Sequence, residues 1–247
     1  MTARSPDLSC IVPAFGHPEL LSRCLTSLAN QRYLPLEIIV VEDSPTSEVR
    51  DLIEGLAIPN LRYLPGARTG NPVDNWNLGL RAANAPVLVL VHHDEYLVDS
   101  QYLRRAFDLL TDPHIAAVVG GVQVTGVNRP SRFALALSLA RLVGRPAWIL
   151  PSLNWIGPTA AFVFRRGHTF DPRLVQYADI AFYRQVLKTG RFATLNRLCV
   201  GSLGHHDAQI SARIDPRKLA RREITGLAAG VELAFHRAVL AIRACIG

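Results

Sequence analysis

Val87-Leu88-Val89-Leu90-Val91-His92-His93-Asp94-Glu95-Tyr96-Leu97 is an unbroken run of β-branched and aliphatic residues that stops at two imidazoles and two carboxylates. Continuous apolar runs of this length are the mark of a buried parallel strand. Open α/β sheets bind their ligands at the carboxyl ends of such strands. The stretch therefore reads in two ways: as a metal or phosphate site at a sheet edge, or as a strand followed by a solvated acidic turn. In the second reading Glu95 is a solvated turn residue. The flanking sequence separates the two.

Upstream, strand and helix signals alternate. Ser9 to Pro13 reads as a strand. Pro18 to Asn30 carries Leu20, Leu21, Cys24, Leu25 and Leu28 at helical spacing. Leu36 to Val41 is a second buried strand, Thr46 to Leu56 a helix capped near Thr46 or Ser47, Leu61 to Leu64 a short strand, and Asp74 to Asn84 a third helix. Strands alternating with helices imply βαβ units and a parallel sheet. Because crossovers are right-handed, the ends of these strands line one edge. Downstream, helices are expected over 100–111 and 180–189 and strands over 115–125, 160–164 and 197–203. The strand over 115–125 should bend at Gly120-Gly121. Beyond Asp215-Pro216, Ile224, Leu227, Val231, Phe235, Val239 and Ile242 form an apolar helical stripe.

Composition narrows the classes. The chain has 247 residues, 49% of them hydrophobic and 19% charged, enough for one large domain or two small ones. Cys10, Cys24, Cys199 and Cys245 form no CxxC pair, which disfavours structural zinc and demands no disulfide. Phe133 to Leu150 is the most apolar stretch, and Arg141, Gly144, Arg145 and Pro146 interrupt it. No apolar leader follows Met1, so the cytoplasm is the expected compartment. The net charge of +7 and pI near 9.7 favour anionic partners. Scattered arginines without interleaved aromatics disfavour nucleic acid.

Three strand ends share the expected edge. Pro13-Ala14-Phe15 brings an aromatic, Glu42-Asp43 carboxylates, and His92-His93-Asp94-Glu95 the metal-ligating groups. An aromatic platform, a hydrogen-bonding carboxylate and a metal ligand suit a nucleotide diphosphate. No GxGxxG and no Walker A loop is present, so ordinary dinucleotide and P-loop binding are disfavoured.

The succession Ile11-Val12-Pro13-Ala14-Phe15, Glu37 to Ser44, Asn75-Trp76-Asn77 and His93-Asp94-Glu95 resembles the family 2 glycosyltransferases of the GT-A fold. Asn154 to Thr159, Phe164-Arg165-Arg166, Phe170 to Leu174, Ala178-Asp179 and His205 to Ser211 extend the likeness over about residues 8–211. It implies an α/β, Rossmann-like, mostly parallel central sheet flanked by helices. It also implies a transferase domain over 1–212, with a nucleotide-sugar-binding half over about 8–98 and an acceptor half over 99–212. A C-terminal helical extension, 213–247, follows.

For chemistry, the resemblance implies an inverting glycosyltransferase that uses a nucleotide-diphosphate sugar, Mn2+ or Mg2+, and a carbohydrate or lipid-linked acceptor. Asp179 is the implied general base; as a plain feature it is a carboxylate at a helix start. Asp94 is the implied metal ligand, with His206 and His92 as further candidates. His92 stands where the family has its first carboxylate, and imidazole suits Mn2+ better than Mg2+. Pro13, Ala14, Phe15, Asp43, Asn71, Asn75, Asn77 and His93 are the expected donor contacts. Phe15 faces a base or packs under the sheet, and the asparagines orient the donor or cap a helix and turns. Trp76 is expected in the core, and Arg165-Arg166 as a charged strand end. The alternatives are a degenerate transferase that only binds, suggested by His92 and Ala178, and a sugar-phosphate nucleotidyltransferase. The extension holds seven Lys/Arg and three Asp/Glu from Ser211 to Gly247. It is expected to meet its own core, a second subunit as a homodimer, or a membrane surface.

Overall fold

The apolar run at Val87 is a central strand of an eight-stranded sheet. The computed structural model describes residues 5–32, 34–125, 147–151 and 154–204, together with Glu223. In chain order the elements are β1 (Leu8–Ala14), α1 (Pro18–Ala29), β2 (Leu36–Glu42), α2 (Glu48–Gly55), β3 (Leu61–Pro65), α3 (Pro72–Ala82), β4 (Val87–Leu90), β5 (Glu95–Leu97), α4 (Tyr102–Leu109), β6 (Ile115–Thr125), β7 (Phe162–Arg165), α5 (Ala178–Leu187) and β8 (Arg191–Leu203). Short 3-10 turns occupy Ala147–Ile149 and Thr159–Ala161.

The sheet order is β3-β2-β1-β4-β7-β6-β8-β5. Its first four strands are parallel, as alternating strand and helix signals require. The other half is mixed: β7 runs antiparallel to β4 and β6, β8 parallel to β6, and β5 antiparallel to β8. The expected mostly parallel sheet is thus parallel in its first half and mixed beyond β4. Buried side chains fall into two clusters, one on each face. Leu8, Cys10 and Val12 of β1 join the cluster that includes α1, whereas Ile11 joins the one that includes α3. This is the alternation of a strand covered on both sides.

Local chemistry moves several boundaries. Helix α3 begins at Pro72, not Asp74: the Asn71 side chain accepts from the Val73 N–H at 3.1 Å, and proline is pre-organised for the first helical position. Ser47 precedes α2 but makes no side-chain cap, donating instead to the Asp51 carboxylate. Strand β8 starts six residues earlier than expected, at Arg191, and pairs with β6 through bulges at the expected bend. Gly121 sits against the Arg197 carbonyl, where a side chain has no room. Of the C-terminal extension only Glu223 is among the described residues; the apolar stripe lies outside them.

Glu37 ties the sheet together at the edge opposite the strand ends of interest. Its buried carboxylate accepts from Ser9 Oγ at 2.6 Å, from the Asn84 N–H at 2.9 Å and Nδ2 at 2.6 Å, and from Arg62. These donors hold its pKa below the ordinary glutamate value against the upward push of burial.

Helix α3 lies close on β1 and β2 because Gly79 has no side chain. A Cβ there would overlap Ile11 Cγ2 and meet Val41 Cγ2 at 3.0 Å. Replacing glycine with alanine in a helix gains up to about 1 kcal/mol in propensity. Overpacking a dense core costs about 1–3 kcal/mol. Gly79→Ala is therefore expected to destabilise the fold despite the propensity gain; a urea midpoint equal to or above that of the parent would disprove this close packing.

Candidate active site

The ends of β1, β2 and β4 meet at one edge. Pro13 and Ala14 finish β1 in the buried sheet, and Phe15 emerges 46% exposed. This exposure is greater than that of a side chain packed wholly under the sheet. The Gly16 N–H donates to Ser44 Oγ at 2.7 Å, and the Ser44 N–H donates to the Glu42 carboxylate. The other Glu42 oxygen accepts from the Tyr63 hydroxyl at 2.9 Å. Glu42 is therefore a buried brace between the loops after β1 and β2, and the carboxylate left at the mouth is Asp43.

Asp43 is half-buried and accepts from the Arg68 N–H at 2.9 Å. The loop after β3 lies directly against it. A Cβ on Gly66 would meet the Asp43 side chain at 2.7–2.8 Å, so only glycine allows this approach. Asn75 fixes the same loop by accepting from the Ala67 N–H at 2.8 Å.

The three asparagines act on backbone. Asn71 caps α3 and donates to the Pro172 carbonyl at 2.8 Å. Asn77 both donates to the Phe170 carbonyl, at 2.9 Å, and accepts from the Phe170 N–H, at 2.8 Å. Both polar ends of the buried Asn77 amide are engaged, so its place is that of a clasp on the 168–172 loop and not of a donor contact. Asn75 likewise supports the loop on Asp43. Trp76 is core, as expected, with its ring edge-on to His92 and Phe170 at about 5 Å.

The chain turns sharply after β4. The Glu95 N–H donates to the His92 carbonyl at 2.9 Å, which places His93 and Asp94 at the tip. His92 packs against Trp76, and burial pushes its pKa down to about 4, so its imidazole is neutral at pH 7. This contact suits packing better than metal ligation. His93 stacks on His17, with ring centroids 5.9 Å apart and planes 10° apart. His17 has a left-handed backbone (φ 54°) immediately before the Pro18 start of α1, and sequence reading passed over it.

Glu95 is not the solvated turn residue it resembles in sequence. It opens β5 and is 4% exposed. Its oxygens accept from the His92 N–H at 2.9 Å, the Thr159 N–H at 3.1 Å, the Ala160 N–H at 3.1 Å and Thr159 Oγ1 at 3.2 Å. Burial and the neighbouring Asp94 push its pKa up to about 8, opposed by those donors. Only the tertiary fold brings residues 92 and 159 to one carboxylate.

From Thr159 the connection runs on to α5. The Asn154 side chain accepts from the Ile156 and Gly157 N–H groups, shaping a turn with Gly157 at φ 90°. The Tyr183 hydroxyl donates to the Gly157 carbonyl at 3.1 Å. One turn earlier on α5, Asp179 is partly buried and accepts from the Ile180 N–H at 2.7 Å. Burial raises its pKa to about 6, against the backbone donors and with a smaller push from Glu223. Arg165 lies away from this edge and donates to the carbonyls of Leu110, Asp112 and Ile115.

His206 lies outside the described residues. Among the described residues no three His, Cys, Asp or Glu side chains form a closed metal cage. A divalent ion carried by a diphosphate needs no such cage, since one or two carboxylates and the phosphate oxygens suffice. A carboxylate at the tip of the β4–β5 turn, at the edge where the strand ends meet, fits that open kind of site.

Comparison with known proteins accords with this arrangement. The description "Glycosyl transferase family 2" matches residues 9–168, and the chain belongs to that family. It is 27% identical over 191 residues to the O-antigen biosynthesis protein RfbC of Myxococcus xanthus; the match covers 68% of this chain and 14% of that protein. The structure of Staphylococcus aureus TarS 1-349 in complex with UDP-GlcNAc superposes with a TM-score of 0.66 at 18% identity, covering 83% of this chain and 61% of that one. The mannosyltransferase PcManGT of Pyrobaculum calidifontis, in complex with GDP-Man and Mn2+, gives 0.66 at 20% identity, covering 99% and 77%. These glycosyltransferase structures share the fold, which is therefore GT-A. The chain spans a seventh of the RfbC length and about three fifths of the TarS chain. No described helix is long and apolar enough to cross a membrane.

If Glu95 is the clasp between the β4–β5 turn and the 154–161 segment, its removal strands several buried donors at once. Each such group costs about 1–3 kcal/mol. Glu95→Ala is expected to lose about 3 kcal/mol or more in equilibrium unfolding, whereas Asp94→Ala, at the turn tip, should change stability little. Equal midpoints for the two variants would refute the clasp.

Proposed function

We propose that this protein is an inverting glycosyltransferase that moves a sugar from a nucleotide diphosphate to a hydroxyl acceptor in glycan, polysaccharide or glycolipid assembly. The observation that carries the reading is the single sheet edge on which Phe15, Asp43 and the His93-Asp94 turn meet. It is joined through Glu95, Thr159 and Tyr183 to the helix that bears Asp179. Family membership and the likeness to an O-antigen biosynthesis protein support it.

In this reading Phe15 stacks on the nucleotide, Asp43 accepts a hydrogen bond from base or ribose, and Pro13 and Ala14 line the floor. His93, stacked on His17, borders the diphosphate. Mn2+ or Mg2+, held through Asp94, would supply positive charge to the leaving diphosphate. Asp179 accepts the acceptor hydroxyl proton as that oxygen attacks the anomeric carbon from the face opposite the diphosphate. A carbon–oxygen bond forms, the sugar–phosphate bond breaks, and its electron pair leaves on the diphosphate oxygen. A carboxyl with a pKa near 6 is ionised at neutral pH yet more basic than an ordinary aspartate, which suits a general base. The structures that share this fold hold UDP-GlcNAc in one case and GDP-Man in the other, so donors of both bases belong in the test. The acceptor is a carbohydrate or lipid-linked hydroxyl, and contact of the 213–247 segment with a second subunit or a membrane belongs to the same reading.

A thermal-shift screen of UDP, GDP and their sugars with Mn2+ or Mg2+, followed by donor turnover and transfer assays, tests the proposal. A ligand that binds the folded state raises the melting temperature by mass action. Asp94→Ala should abolish the metal-dependent part of that shift and turnover with it. A full shift in this variant would move the metal elsewhere. Binding without turnover under any condition would make the protein a nucleotide-sugar-binding module.

Asp179→Asn should bind donor normally and lose transfer by a factor on the order of 10²–10⁴. In the parent, kcat/KM should fall as pH drops through about 6, where Asp179 takes up its proton. The sign of the stability effect is opposite. The folded pKa lies above the ordinary value of 3.8, so burial favours the neutral carboxyl. The stability it contributes is present at low pH and lost as pH rises through about 6. Asp179→Asn should therefore be at least as stable as the parent at pH 7.5. Parental transfer rates in this variant would place the base at another residue.

A further inference from the structure

Helix α5 carries the proposed base, and the backbone just ahead of it is held from far along the chain. Tyr177 occupies the N-cap position and makes no side-chain cap bond. The backbone N–H groups ahead of the helix find their acceptor 46 to 48 residues downstream. The Glu223 carboxylate accepts from the Tyr177 N–H at 2.8 Å, the Val175 N–H at 3.0 Å and the Gln176 N–H at 3.4 Å. Three successive backbone N–H groups converging on one anion make a nest, a geometry suited to negative charge. Glu223 is only 5% exposed, and a carboxylate so buried has to be met by donors. Its charge also faces the positive end of the α5 dipole.

We propose that Glu223 is a positioning residue for catalysis: by filling the nest ahead of α5 it sets where that helix begins, and so where Asp179 stands against the acceptor. The proposal rests on Asp179 being the base. Asp179 is two residues beyond the last donor of the nest, so a shift of the Val175–Tyr177 backbone moves it directly. Two further groups bear on its proton. Its carboxylate receives the Ile180 N–H, and Tyr183 lies one turn along the same helix. Glu223 adds negative charge from outside the helix and favours the protonated form of Asp179. One side chain thus fixes the place of the base and raises its basicity.

Glu223→Gln keeps the size and removes the charge, and Glu223→Asp keeps the charge and withdraws it by one methylene. Both are compared with Asp179→Asn and the parent, using release of UDP from UDP-GlcNAc and of GDP from GDP-Man across pH 5–9, with melting temperature measured alongside. Glu223→Gln is expected to lower kcat on the order of 10-fold or more, the scale of a displaced catalytic group, with donor KM unchanged. The acid limb of its profile should move to lower pH, because a like charge has gone. Glu223→Asp should lower kcat while its acid limb stays near that of the parent. A structural cap alone would lower the melting temperature and leave kcat and the acid limb of the folded fraction unchanged; that result in whichever variant folds overturns the proposal. Parental activity in Asp179→Asn overturns the base assignment instead. Inactive Asp179→Asn beside fully active Glu223 variants overturns only the role of Glu223.

Discussion

The site depends on one buried carboxylate that has no direct part in the proposed chemistry. Glu95 receives backbone donors from His92 on one side and from Thr159 and Ala160 on the other. The first belongs to the turn that presents His93 and Asp94. The second belongs to the segment that leads through Gly157 and Tyr183 to the helix bearing Asp179. The proposed donor-side and acceptor-side groups are thereby referred to the same pair of oxygen atoms. A carboxyl group buried this deeply is tolerated only where hydrogen-bond partners surround it. The constraint is therefore mutual: the fold must deliver those donors, and their delivery fixes the relative position of the two segments.

The same device recurs around the edge. Glu42 braces Ser44 and Tyr63, and through Ser44 the Gly16 backbone. Asn77 clasps Phe170 with both ends of its amide, and Asn75 holds the loop that lies on Asp43. Glu223 holds the Val175–Tyr177 backbone that leads into α5. Several groups proposed to touch substrate lie on loops, and buried polar side chains reaching over many residues hold those loops. A single carboxylate or amide with two or more backbone partners adds order to each of these loops.

Two carboxyl groups, the clasp Glu95 and the proposed base Asp179, are shaped by position. Glu95 is raised by burial while its donors oppose the shift. Asp179 is raised to about 6 because it combines a partly buried helix start with few donors and a nearby anion. The neutral His92, edge-on to Trp76, leaves the turn tip to His93 and Asp94.

Periodicity alone determined much of the architecture. Apolar runs such as Val87 to Val91 and Leu36 to Val41 can only be buried strands, and the helical spacing between them forces a parallel first half. The order of strand-end residues was enough to find the edge and to propose Asp43 and Asp94 on it, whereas Asp179, at a helix start, was proposed only through the family resemblance. Tertiary structure decided what local pattern cannot encode. Glu95 reads as a solvated turn because its partners at Thr159 and Ala160 are 64 and 65 residues away. Asn77 reads as a donor contact because the loop that engages its amide lies 93 residues on. His17 escaped notice because its stacking on His93 exists only once β1 and β4 lie side by side. Glu223 sits within a plain amphipathic pattern and gains its role from a nest made of backbone alone, which leaves no mark in the residue types that form it. Hydrophobic burial has a period and is written along the chain; the satisfaction of buried polar groups is a matter of long-range meeting, and only the folded molecule shows who meets whom.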